Sequence, residues 1–265
     1  MSELIILKIG TSSITKNDGL PDLKFMAGVA EQVEHIIQNG NKVIIVSSGA
    51  IGCGRRKILP NQTDVLNNDQ SQELALKQAY AAIGQAELMR YWQTAFDQRP
   101  VSQHLLTQHV FQTNETLENF KNCLFTTLQL GVVPVLNEND AVSTAEIDHK
   151  FTDNDSLAVH VAKAVKASKI IILTDTQGLF TDNPSINPAA QLLQKIHKID
   201  DQILALANGK SSLGRGGMRN KLEAINLAMQ HGIQVFLTHG KKDRAVLEVF
   251  EAEFSGTHFH PVDLV

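Results

Sequence analysis

Two lysines of this 265-residue chain stand beside glycine turns, and both placements suit a phosphate group. The run Leu213-Gly214-Arg215-Gly216-Gly217-Met218-Arg219-Asn220-Lys221 opens an amphipathic segment carrying Leu222, Ile225, Leu227 and Met229. Glycines ahead of a helix free backbone N–H groups to face an anion, and the helix dipole and a lysine one turn in add positive charge. The spacing differs from Gly-x-x-x-x-Gly-Lys-Ser/Thr, so no P-loop fold is assigned. Lys8 lies near the end of the apolar run Leu4–Ile9, which Gly10-Thr11-Ser12-Ser13 follows at once. Two phosphate-ready turns fit two ends of one nucleotide.

Three more polar turns follow apolar runs in the same way. They are Ser47-Ser48-Gly49-Ala50-Ile51-Gly52-Cys53-Gly54, Asn137-Glu138-Asn139-Asp140 and Thr174-Asp175-Thr176-Gln177-Gly178. In open α/β sheets, ligands sit at the carboxyl ends of the strands, so these turns are expected to converge on one composite site. Asp153-Asn154-Asp155 precedes Leu157, Ala158, Val161 and Ala162 and reads as a helix start with acidic caps. Beside two lysines and a triphosphate, the same triplet can orient the ammonium groups and balance the charge of Mg²⁺. Cys53 reads as a small packing residue rather than a nucleophile. The histidines lack metal-ligand spacing, and no metal-ligating set is assigned.

The elements that must position these turns are legible as well. Apolar runs at Leu4–Ile9, Val43–Val46, Val132–Leu136, Ile170–Leu173 and Ile233–Leu237 alternate with helical patterns, which predicts a three-layer α/β/α sandwich with a mainly parallel central sheet. Phe25, Met26, Val29, Val33, Ile36 and Ile37 follow helical spacing, with Pro21 near the start and Asn39-Gly40 as the stop. Between Asn67 and Phe96 a long helix carries a stripe of Ala75, Ala79, Ala82, Ala86 and Met89. Packing on the home sheet is the expectation for that stripe, with a subunit interface as the alternative. Pro134 argues that its strand starts late or lies near an edge.

Composition excludes several classes. With 43% hydrophobic and 20% charged residues the chain is of ordinary globular type, and its formal net charge of −4 comes without a basic block. Nucleic acid is therefore not an expected partner. No apolar run approaches the ~18 residues of a membrane helix, so no membrane association is expected. Cys53 and Cys123 form no CxxC pair, which fits a reducing cytoplasm.

The motifs together resemble the glutamate 5-kinases of the amino acid kinase family. They are Leu7-Lys8-Ile9-Gly10-Thr11-Ser12, Val46-Ser47-Ser48-Gly49-Ala50-Ile51, Val133–Ala141, Asp153-Asn154-Asp155, Leu173-Thr174-Asp175 with Gly178–Thr181, and Gly216-Gly217-Met218 with Lys221. Gly256–His260 resembles the closing strand of the kinase domain. The resemblance implies ATP with Mg²⁺ as donor, L-glutamate as acceptor, and γ-glutamyl phosphate as product, the first intermediate of proline synthesis. It also implies proline as a feedback inhibitor and a homo-oligomer, dimer or tetramer. Lys8, Lys221 and Asp155 are implied as catalytic, and Ser48, Asp140 and Asn154 as glutamate contacts. Lys8, Gly10, Thr11, Ser12, Thr174, Asp175, Arg215, Gly216, Gly217, Met218, Arg219, Asn220 and Lys221 are implied at the nucleotide. One kinase domain is expected over 1–265, with glutamate bound by roughly 1–168 and ATP by 169–265.

Arg215 and Asn220 stand where members usually carry Thr, and Asp148–Thr152 is longer than usual, which bears on Lys150. Many members continue into a C-terminal PUA domain; this chain reads as a kinase-only form. Acetylglutamate kinase, a UMP kinase-like activity and a non-catalytic amino acid sensor on the same fold are the alternatives. Asn137–Asp140 favours a free amine, which needs a carboxylate partner that an acylated amine does not. Both lysines argue against a sensor, which has no transferring charge to stabilise.

Overall fold

The structure is a computed structural model that describes residues 2–16, 19–59, 70–143, 153–208 and 217–261. Its strands are β1 (Leu4–Ile9), β2 (Lys42–Ser47), β3 (Val101–Leu106), β4 (Val133–Glu138), β5 (Lys169–Thr174), β6 (Lys195–Ile196), β7 (Gln234–His239) and β8 (Thr257–Phe259). They form one sheet in the order β3-β4-β2-β1-β5-β7-β8-β6. All neighbours are parallel except β7 and β8. The helices are α1 (Thr11–Ile14), α2 (Leu23–Gln38), α3 (Ala50–Ile58), α4 (Gln70–Phe96), α5 (Asn114–Gln129), α6 (Asn154–Val165), α7 (Asp201–Ala205) and α8 (Met218–Gln230).

Both faces of the central strands are covered, which is why their sequences read as continuous apolar runs rather than alternating ones. Ile5, Leu7, Ile9, Ile45 and Ile171 pack with Met26, Val29 and Val33 of α2 and Leu88, Trp92 and Phe96 of α4. On the opposite face, Ile6, Ile44, Val46, Ile170 and Ile172 pack with Leu124 of α5, Leu157 and Val161 of α6, and Leu222 and Ile225 of α8. This is the expected three-layer sandwich. Among the described residues no helix is long and apolar enough to cross a membrane.

The five anticipated strands and the closing strand are all present, and β3 and β6 add to them. β3 carries Ser102, Gln103 and His104 at the sheet edge, where water replaces one side of the apolar contact and the apolar signal is lost. α2 is capped by Asp22, whose Oδ1 accepts from the N–H of Phe25, and stops at Gly40 with φ +84°. Pro134 is not on an edge strand, because β4 lies between β3 and β2. The ladder toward β2 nevertheless begins only at Val135, past the ring that lacks an N–H.

Two further expectations are corrected. Ala75, Ala79, Ala82 and Ala86 are exposed, and the face of α4 that packs inward is Tyr80, Ala81, Gly84, Gln85, Leu88 and Trp92. Leu88, Trp92 and Phe96 offer far more apolar area than alanine, so they take the core and the alanine stripe faces outward. The segment Ser47–Gly54 is a turn only as far as Gly49, which holds φ +113° ahead of α3. Gly52, Cys53 and Gly54 lie within that helix. Residues 67–69 of the anticipated long helix lie outside the described residues.

Gly54 serves packing, together with Gly84. A Cβ on Gly84 would lie 1.9 Å from the Ala50 carbonyl oxygen, and one on Gly54 would lie 1.9 Å from that of Tyr80. α3 and α4 therefore meet backbone to backbone. Gly84→Ala should destabilise the protein by about 3 kcal/mol in urea unfolding, because backbone cannot step aside as a side chain can. Gly28→Ala in α2, where a Cβ meets nothing within 4 Å, should instead stabilise by about 0.5–1 kcal/mol. Equal unfolding midpoints for the two variants would show that the α3–α4 contact relaxes.

Candidate active site

The parallel strands bring the polar turns to one edge of the sheet. β1 pairs with β2 on one side and β5 on the other, while the chain leaves β1 toward β2 and returns to β5 much later. This reversal opens a crevice at the carboxyl end of β1. The turns are joined there by backbone bonds: Ser48 N–H to the Ile9 carbonyl at 3.1 Å, Gly10 N–H to that of Leu173 at 3.4 Å, and Gly240 N–H to that of Thr174 at 2.7 Å.

Lys8 shares the sheet face of Ile6 by strand alternation, so its side chain runs under α6 and α8. It meets Asp155 in the first turn of α6, with Nζ 2.7 Å from Oδ1. Lys221, one turn into α8, places its Nζ 2.6 Å from Oδ2 of the same carboxylate. All three side chains are at least nine-tenths buried. Burial pushes the Asp155 carboxyl up, but the two ammonium groups more than reverse this and hold it at about 2. Burial, with the like charge of Lys221, draws the Lys8 ammonium below its ordinary value of 10.5 against the pull of Asp155.

The Asp-Asn-Asp triplet caps a helix and, through Asp155, meets both ammonium groups. Asp153 caps α6, its Oδ1 accepting from the N–H groups of Asp155 at 3.1 Å and Ser156 at 3.0 Å. Burial and the neighbouring charge of Asp155 raise the Asp153 carboxyl, and burial raises Glu138 of β4, to which Ser143 donates. Asn154 Nδ2 donates to Ser48 Oγ at 2.8 Å and to Asn137 Oδ1 at 2.9 Å. Asp140 lies in the turn after β4 and lines, with Ala50, Gln85 and Glu138, a cavity of about 290 Å³.

The remaining residues expected at the nucleotide sit around the same edge. Thr11 and Ser12 are exposed beside Gly10, and buried Thr174 donates to Asp175 Oδ1 at 3.1 Å at the end of β5. Gly217 caps α8 and Met218 opens it, with Asn220 half-buried; Arg219 pairs with Glu223 at 3.1 Å on the exposed side. Arg215, Gly216 and Lys150 lie outside the described residues. Cys53 is buried in the core, and burial pushes its thiol up to about 11, as suits a packing residue.

Sequence reasoning missed Gln85, Asn137 as a buried amide, and Trp92, whose indole N–H donates to Ser47 Oγ at 2.9 Å. Gln85 was findable. It falls on one helical face with Ala81, Leu88 and Trp92, and a polar side chain in such a face requires a partner.

Residues 3–239 match the sequence profile of the amino acid kinase family. The chain belongs to that family. It is 39% identical over 97% of its length to the glutamate 5-kinase of Lactococcus lactis subsp. lactis, of which it covers 94%. It is 35% identical over 96% of its length to the glutamate 5-kinase of Enterococcus faecalis, of which it covers 93%. Among solved structures, the UMP kinase of Ureaplasma parvum superposes with a TM-score of 0.64 over 98% of this chain and 99% of its own, at 17% identity. That last likeness is one of fold.

The Asp155 carboxyl fixes a pH dependence. Its folded value of about 2 lies below the ordinary 3.8, so its ionisation stabilises the fold above the ordinary value, and that contribution fades as pH falls toward the folded value. Asp155→Asn should be less stable near neutral pH by on the order of 2 kcal/mol, with two buried ammonium groups left facing each other. Denaturant unfolding should show the gap between variant and wild type narrowing near pH 3. A gap constant from neutral to acid would assign the stabilisation elsewhere.

Proposed function

We propose that this chain transfers the terminal phosphoryl group of MgATP to the γ-carboxylate of L-glutamate, giving L-glutamyl 5-phosphate, the first step of proline synthesis. The observation that carries the reading is the pair of buried ammonium groups held by one carboxylate at 2.7 and 2.6 Å, at the sheet edge where Ser48 and Asn154 meet. The likeness to glutamate 5-kinases supplies the acceptor.

The acceptor is already ionised at neutral pH, so the reaction needs no general base. Its difficulty is bringing two anions together and stabilising a loose phosphoryl transition state. Lys8, reaching from the central strand, neutralises charge on the transferring group, with Gly10, Thr11 and Ser12 offering donors beside it. Lys221 holds the phosphates from the ATP side, and Asp155 keeps both ammonium groups in register. The two ammonium groups are the positive charges that an anionic substrate requires there. Both oxygens of Asp155 face these lysines; Mg²⁺, brought with ATP, would neutralise phosphate charge beside them.

Ser48, Asp140 and Asn154 hold glutamate, with Asp140 the partner of its ammonium. Thr174, Asp175 and the segment from Arg215 through Gly216, Gly217, Met218, Arg219 and Asn220 to Lys221 receive ATP. In this division residues up to about 168 carry the amino acid and those from 169 the nucleotide. Cys53 and Cys123 are free thiols, which agrees with a reducing cytoplasm.

Purified protein with MgATP should release ADP in proportion to glutamate, and hydroxylamine should trap the product as a hydroxamate. UMP or acetylglutamate in place of glutamate should give no such turnover; the reverse pattern would sink the assignment. Lys8→Ala and Lys221→Ala should lower kcat by roughly 10²-fold or more, as the loss of electrostatic stabilisation implies. A kcat within a few-fold of wild type would remove that lysine from the mechanism.

Proline shares an α-carboxylate and a cationic α-nitrogen with glutamate, so Ser48, Asp140 and Asn154 can accept it directly. Proline is therefore expected to raise the apparent KM for glutamate at fixed ATP, and Asp140→Ala should weaken both ligands together. Inhibition insensitive to glutamate concentration would place proline elsewhere.

A further inference from the structure

A chain of side-chain amides leads from α4 to the glutamate-facing side of the site, and one backbone group sets its direction. The N–H of Glu138 lies 2.9 Å from the Asn137 side chain. A backbone N–H can only donate, so the Asn137 atom facing it is the carbonyl Oδ1. Asn137 Nδ2 is thereby turned toward Gln85, whose Oε1 accepts it at 3.0 Å. Gln85 Nε2 is left to donate to Gln103 Oε1, at 3.4 Å. Gln85 and Asn137 are buried, at 6% and 2% exposure, so their polar atoms need these partners.

The other end of the chain is constrained by the same logic. Asn137 Oδ1 faces Asn154 at 2.9 Å, so the Asn154 atom there must be the donor Nδ2, which also donates to Ser48 Oγ at 2.8 Å. Asn154 Oδ1 is consequently a buried acceptor with no hydrogen-bond partner among the described residues. Ser48 Oγ, already accepting from Asn154, keeps its own O–H to give away. Adjacent to the Lys8–Asp155–Lys221 cluster, one acceptor and one hydroxyl donor thus stand together with hydrogen-bonding capacity unused. They match an ammonium and a carboxylate of one amino acid.

We infer that Gln85 is a positioning residue for recognition of the amino acid: through Asn137 it holds the Asn154 carbonyl as an acceptor for the α-ammonium and the Ser48 hydroxyl as a donor to a carboxylate. This rests on the proposed glutamate reading and goes beyond the glutamate contacts assigned there. Loss of the Gln85 acceptor leaves Asn137 Nδ2 a buried donor without a partner. Asn137 can relieve that only by breaking with Glu138 or with Asn154.

Gln85→Met removes the acceptor at nearly constant length. Gln85→Glu keeps an oxygen facing Asn137 whether its carboxyl is neutral or ionised, and exposed Gln103 can turn its amide to answer the other oxygen. Steady-state ADP release should show the glutamate KM raised about tenfold in Gln85→Met, with kcat and the ATP KM within about twofold of wild type. Gln85→Glu should return the glutamate KM to within about threefold of wild type. The preference for glutamate over glutarate, which lacks the ammonium, should fall in Gln85→Met; a merely structural loss would not move that ratio. Should Gln85→Met fail to accumulate folded, Gln85→Asn, which withdraws the acceptor by one methylene, must show the same split.

An unchanged glutamate KM in Gln85→Met, a parallel rise in both KM values, an unchanged glutamate-to-glutarate ratio, or a Gln85→Glu variant no better than Gln85→Met would each overturn the inference. Wild-type protein that turns over ATP without glutamate dependence would instead refute the glutamate reading itself.

Discussion

The arrangement of this molecule hinges on a single buried carboxylate shared by two ammonium groups. Asp155 belongs to the first turn of α6, Lys8 to the central strand and Lys221 to the first turn of α8. The contact therefore fixes how two helices sit over one strand. None of the three charges is tolerable alone at such depth, since an isolated buried ion loses its hydration without recompense. Lys221 is also placed against its helix dipole, which favours anions at that end. The carboxylate offsets both costs.

The side of the site that carries Ser48 and Asn154 depends on a different kind of restraint. α4 approaches α3 through facing glycines, and from that seat Trp92 reaches Ser47 and Gln85 reaches Asn137. The turn after β2 and the end of β4 are thus held from behind by a long helix rather than left to loop flexibility. Groups whose rotamers are locked by such outer contacts hold ligand geometry more closely than groups on unsupported loops. Electrostatics orient the lysines on one side of Asn154 and Asp155; hydrogen-bond polarity orients Asn154 and Ser48 on the other.

Much of this was legible before any coordinates. The five apolar runs sit on strands because fully covered parallel strands need no polar alternation, and the turns after them share one edge because parallel strands end together. The glycine turns beside Lys8 and Lys221 and the Asp-Asn-Asp cap could be read from local chemistry. β3 escaped because an edge strand carries polar residues, and the alanine stripe misled because periodicity identifies a helical face without saying which of two faces buries more area.

The order of residues by itself determined the fold class, the positions of the phosphate-ready turns and the membership of the kinase family, since each rests on local pattern or on motif. Only the tertiary structure decided that Lys8 and Lys221, 213 positions apart by their numbers, share one carboxylate, and that Gln85 stands behind Asn154. Those pairings depend on strand order, helix crossing and the direction of each side chain. Such long-range geometry leaves no periodic trace in the chain, and appears only when the sheet brings distant segments to the same edge.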